Sequence, residues 1–109
     1  MKTITIKGKE YNLKYSTRAI LLFESSKNGE RFDIKTKTDE LLFLHCILMC
    51  SNEDYSLDFL EELIPEIDEH PEINIAFNQV MLDEVKRQEK ALIDYLSPSE
   101  EKEGDKKKV

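Results

Sequence analysis

The side chains of this 109-residue chain with types suited to chemistry are two histidines, two cysteines and a run of carboxylates. His45, Cys46 and Cys50 lie close together in the sequence, a set that raises zinc. Structural zinc needs four convergent ligands, whereas His45 and Cys46 project about 100° apart on a helix. His45 is therefore expected to be a hydrogen-bonded core residue. The cysteines share a helical face at i,i+4 but diverge from one rigid rod, where disulfide geometry is poor, so buried thiols in a reducing compartment are expected. His70 stands before Pro71 among Asp68, Glu69 and Glu72, a solvated helix junction. The carboxylates of residues 53–72 lack the D-x-[DN]-x-[DN]-G spacing of a calcium loop. Glycines occur only at 8, 29 and 104, so no phosphate-cradling loop is available. No Ser or Cys has the setting of a nucleophile. No catalytic, metal or cofactor site is expected, and the chain is not expected to be an enzyme.

The element that must organise the rest is residues 39–51, DELLFLHCILMCS. From 41 to 50 every residue but His45 is apolar, and a helix greasy on all sides belongs at the centre of a small protein. Asp39 and Glu40 suit its positive end, with Thr38 as the expected cap. About ten apolar residues are too few for a membrane span, which needs about twenty.

Before it, residues 3–7 and 10–14 alternate apolar and polar, the period of strands. Gly8-Lys9 between them suits a type II′ hairpin turn. A lone hairpin is marginal in water and must lay its apolar face on helices. Ser16 or Thr17 should open a helix through Ala19, Ile20, Leu21, Leu22 and Phe23, buried on most sides, and Asn28-Gly29 should stop it. Residues 32–36 alternate briefly, which fits a third strand or an extended connection.

After the core helix, Ser56 is the expected cap of a helix whose Leu60, Leu63, Ile64 and Ile67 share one face. Pro65 should break or kink it after Leu63. Pro71 can occupy the first turn of the next helix, where Ile73, Ala76, Phe77, Val80, Met81 and Val85 form a stripe. Residues 86–90 are polar, and Leu92, Ile93, Tyr95 and Leu96 are again mostly greasy. One helix over 72–96 would run about 37 Å, against a radius of gyration of about 13 Å for a compact domain of this size. Either its end projects as an apolar contact surface, or the helix bends near Gln88 or crosses the domain and covers the hairpin. Ser97-Pro98-Ser99 ends it, and the rest of the chain lacks apolar periodicity. Residues 1–96 form one domain on this account, and 97–109 a disordered charged tail.

Charge is unevenly spread. Residues 1–37 hold nine Lys/Arg against four Asp/Glu, while residues 38–96 hold three against fifteen, in a chain of net charge −7. A mostly acidic surface repels phosphate backbones, so neither nucleic acid nor a membrane is an expected partner. The start, MKTITIKGK, has no long apolar core with a small-residue cleavage site, so no signal peptide and a cytoplasmic location are expected.

The opening, ITIKGKEYNLKYSTRAILLFE, runs strand, turn, a strand ending Leu-Lys-Tyr, then Thr-Arg-Ala into an apolar helix ending Phe-Glu. With Phe32-Asp33-Ile34 and an apolar second helix after it, the chain over about residues 1–96 resembles the tail assembly chaperones of long-tailed bacteriophages and prophages. The resemblance implies a non-catalytic, largely helical protein of the host cytoplasm. It implies a protein that binds the tape measure protein, keeps it soluble and helps recruit tail tube subunits, with self-association as a homo-oligomer. The surfaces nominated for such contacts are Leu60 and Ile64, and Leu92, Tyr95 and Leu96. Members of that family are often made in frameshift-extended forms, and residues 105–108 would be encoded by an adenine-rich run of the slippery kind. The fold expected is α+β, mainly α, a hairpin on about four helices. The alternative function is a small acidic adaptor or regulatory protein that binds a basic partner.

Overall fold

The structure, a computed structural model, describes residues 2–97. The tail expected to be disordered, 97–109, lies outside the described residues from 98 onward, as do the lysines at 106–108.

Strands β1 (Lys2–Ile6) and β2 (Lys9–Leu13) form an antiparallel hairpin in which Ile6 pairs with Lys9 and Ile4 with Tyr11. The turn is one residue earlier than the sequence suggested. Lys7 and Gly8 are the central pair, with φ of 53° and 77°, and two positive φ angles make a type I′ turn instead of II′. Gly8 meets that demand without strain. Ile4, Ile6, Tyr11 and Leu13 all turn to the same buried side.

Helix α1 (Thr17–Ser26) is capped by Ser16, whose side chain accepts from the Ala19 N–H at 3.2 Å. It closes in a Schellman turn. Gly29 N–H donates to the Glu24 carbonyl and Asn28 N–H to the Ser25 carbonyl, with both residues at positive φ. Its four bulky residues are not buried all round. Phe23 is fully inside, Ile20 and Leu22 are half-buried, and Leu21 is 59% exposed.

Residues 30–35 form no strand but an extended connection. It is held by the Phe32 N–H donating to the Glu24 carboxylate at 2.8 Å and by the Phe32 ring, which lies between Phe23 and Phe43. Helix α2 (Lys37–Ser51) then starts two residues before the position implied by a Thr38 cap. Thr36 caps it, accepting from Asp39 N–H at 3.1 Å, while the Asp39 carboxylate accepts from Thr36 N–H at 3.3 Å. This reciprocal box satisfies two orphan amides, which Thr38, already inside the helix, cannot do.

The core is built on α2. Phe43, Leu44, Cys46, Ile47 and Leu48 are fully buried, and the Phe43 ring meets Tyr15, Phe23, Phe32 and Phe77 with centroids 4.8–6.3 Å apart. Helix α1 packs against α2, and α2 also supports β2.

Asp58, and not Ser56, caps the next segment, its carboxylate accepting from Glu61 N–H at 2.8 Å. The first turn, Phe59–Leu63, is π-helical and passes into α3 (Ile64–Glu69) without a break. Pro65 falls in the first turn of α3, where its missing N–H matters least. The kink expected after Leu63 is thus a change of helix type. Helix α4 (Pro71–Leu96) runs unbroken for 26 residues, about 39 Å at 1.5 Å per residue. Its first half packs on β1 and α3 through Ile73, Phe77 and Val80. The architecture is α+β and mainly helical, a hairpin laid on four helices.

Candidate contact surfaces

His45 is half-buried, its Nδ1 2.8 Å from the Tyr55 hydroxyl and its ring against Phe59. Burial pushes its pKa down, against a smaller opposing pull from the Asp58 carboxylate. The neutral ring and the Tyr55 hydroxyl share this one hydrogen bond, its direction set by the ring tautomer. Burial also raises the Tyr55 phenol and pushes the Cys46 thiol up to about 11, so that this sulfur is an inert core atom. His70 lies with Glu66 and Glu69, their ligand atoms all within 4.8 Å of one another. Two of these three residues are exposed, and the His70 ring also lies 3.6 Å from Glu72. The cluster is the solvated junction that the sequence suggests.

Two concavities stand out. A cleft of about 280 Å³ with a mixed lining lies between the end of β2 and α4, bordered by Lys2, Leu13, Tyr15, Val80, Glu84 and Arg87 among others. Arg87 is committed to Glu84, donating from Nη2 at 2.6 Å and Nε at 3.0 Å, and holds that carboxyl below its ordinary range. The cleft brings together no nucleophile and base. The second is a shallow groove of about 350 Å³ between α1 and α2, lined by Arg18, Leu21, Leu22, Met49 and Cys50. It is largely apolar.

The far half of α4 is the prominent surface. Every residue from 85 to 97 is exposed. The helix neither bends at Gln88 nor covers the hairpin with its last turn. Leu92 is 56% exposed, Ile93 62%, Tyr95 80% and Leu96 66%. Among the nominated residues, Leu92, Tyr95 and Leu96 thus form one open apolar end. Leu60 is exposed too, but Ile64 is half-buried against the core and is not a free contact residue. The wide π turn separates the two. It adds about one residue per turn, which brings Phe59 above Leu63 and Ile64 and swings Leu60 out to solvent.

No family model, no curated protein and no solved structure matches the chain.

Five exposed apolar residues escaped sequence reasoning, Ile75 and Leu82 of α4 among them. Leu21 and Met49 flank the groove, and Val85, placed with the core stripe, is half exposed. At 100° per residue Val85 points about 120° away from Ile73, whereas Phe77 and Val80 fall within 40° of it. Plotting those angles would have shown it. Leu21 and Met49 become neighbours only through the packing of α1 on α2, which no local pattern encodes. Among the described residues no helix is long and apolar enough to cross a membrane.

Proposed function

We propose that this chain is a non-catalytic assembly chaperone of the phage tail type, binding a long apolar partner of the tape measure class and recruiting tail tube subunits. The observation that carries the reading is the exposed end of α4, where four large apolar side chains lie within five residues. A monomer gains nothing by leaving such a patch open, whereas a holdase needs one. The order of hairpin, capped helix and apolar second helix is that of the family which residues 1–96 resemble. On this reading Leu92, Tyr95 and Leu96 contact the partner, with Leu60 as a second point.

A second reading, an acidic adaptor for a basic partner, is favoured by Glu61, Asp68, Glu69 and Glu72, all exposed near α3. Salt separates the two: apolar contacts persist at 1 M salt, where the Debye length is about 3 Å, and exposed charge pairs do not. The test is co-expression with a tape measure protein of a long-tailed phage, followed by light scattering of the soluble fraction at low and high salt. A salt-resistant complex of several copies supports the chaperone. A bare monomer with the long protein still insoluble removes it.

A further inference from the structure

Along α4, Ile75, Leu82, Val85, Leu92 and Leu96 are each 48–67% exposed. Together with Asn78 and Glu89 they fall at strict three-and-four spacing, 75, 78, 82, 85, 89, 92, 96. This is the seam of a two-stranded coiled coil. On the helix wheel it centres about 150° from Ile73, nearly opposite the side that Ile73, Phe77 and Val80 bury in the core. Helix α4 is therefore apolar on two faces, and only one of them is covered by its own chain.

We propose that α4 pairs antiparallel with α4 of a second copy of this chain through this seam. Area favours a second copy. Leu82, Val85, Leu92 and Leu96 with Ile93 and Tyr95 offer on the order of 100 Å² each, so that two copies bury about 1,200 Å², the low end of a specific interface. Charge fixes the direction. A parallel, in-register pair stacks Glu89 on Glu89 and Asn78 on Asn78. The antiparallel pair that sets Val85 opposite the partner's Glu89 also sets Leu82 opposite the partner's Leu92 and Leu96 opposite the partner's Asn78. Lys86, at the edge of the seam, then stands beside the partner's Glu89, and the two-fold axis repeats that ion pair. Tyr95 falls beside the partner's Met81. The contact uses the same patch on both copies, so it closes at a dimer, and the two hairpin bodies lie at opposite ends.

The pairing does not rest on the chaperone reading, because the purified chain tests it without any partner. The seam includes Leu92 and Leu96, so a tape-measure-like helix and the second copy compete for it.

Sedimentation equilibrium of the full chain should give twice the monomer mass at about 100 μM. Glu89→Leu, which removes the charge at the centre of the seam, should tighten the dimer about tenfold or more. Leu82→Lys with Leu92→Lys should give a monomer with unchanged helical circular dichroism. In a Cys50→Ser background, mixing Val85→Cys with Glu89→Cys should yield the mixed disulfide dimer, and Val85→Cys alone should not cross-link. A monomer at that concentration for the natural chain overturns the pairing. Efficient cross-linking of Val85→Cys alone overturns its direction.

Discussion

Asn52 holds the backbone of Asn12 at both ends of its side chain. Its Oδ1 accepts from Asn12 N–H at 2.8 Å, and its Nδ2 donates to the Asn12 carbonyl at 2.9 Å. In a hairpin closed by a two-residue turn, the peptide groups of Asn12 point away from β1 and form an open sheet edge. The residue that ends α2 thus takes the place of a third strand and ties the hairpin to the core helix. Ser51 repeats the contact one step along, its hydroxyl meeting both the N–H and the carbonyl of Lys14.

Asn52→Ala should therefore cost about 1–3 kcal/mol, since two part-buried backbone groups lose their partners. Amide exchange at Asn12 should accelerate more than at Ile4 or Tyr11. Equal acceleration at all three would mean that the hairpin opens as a unit and that the clamp is not local.

The ion pair between Lys27 and Asp39, 2.6 Å from Nζ to Oδ1, joins the end of α1 to the start of α2. Lys27 and then the amides of Lys35 and Thr36 hold the Asp39 carboxyl at about 2, against an ordinary 3.8. The unfolded chain binds more protons between those values, so this stabilisation is complete above about pH 4 and is lost as pH falls toward 2. Asp39→Asn should lower the melting temperature at pH 7 and flatten the acid limb of the stability curve below pH 4. Thr36→Ala should cost about 1 kcal/mol as a lost cap and leave that limb in place.

The His45 ring gives a second pH window. Its folded pKa lies below the ordinary 6.5 because burial disfavours the imidazolium. Between the two values the unfolded state binds the extra proton. Stability should therefore fall as pH drops below about 6.5 and level off once the folded ring titrates. His45→Phe should abolish that slope. Chemical denaturation at pH 5 and 7.5 would measure it, and an unchanged slope in the variant would assign it to another group.

Most of the fold was legible because period and punctuation agree with it. The alternation of Ile4 and Ile6 and of Tyr11 and Leu13 marks the strands, and the run from 41 to 50 marks the core helix. The misses are one or two residues wide and have local causes. Lys7 takes a positive φ because Gly8 follows it in a type I′ turn. Thr36 outcompetes Thr38 because only Thr36 has Asp39 three residues on. The π turn at 59–63 leaves no period in the sequence, so Leu60 and Ile64, neighbours on an ideal helix, part company. At the contact surface the greasy return at 92–96 could be seen, but projecting and packed ends have the same sequence. Only the folded body, which leaves residues 85–97 exposed, decides between them.

The apolar end of α4 should therefore be separable from the core by mutation. Leu92 and Leu96 are absent from the buried cluster and its partly buried neighbours. At a concentration where the chain is monomeric, Leu92→Asp with Leu96→Asp should change stability by no more than about 0.5 kcal/mol per site, the usual range for surface positions. The same double variant should lose capture of a tape-measure-like partner in co-expression. Leu63, fully buried beneath the π turn, supplies the contrast, and Leu63→Ala should cost about 2–5 kcal/mol. Thermal melts of the two variants side by side would measure the difference. If the double aspartate melts as early as Leu63→Ala, the end of α4 is part of the folded body and the contact surface must lie elsewhere. A normal melt with capture lost ties Leu92 and Leu96 to binding.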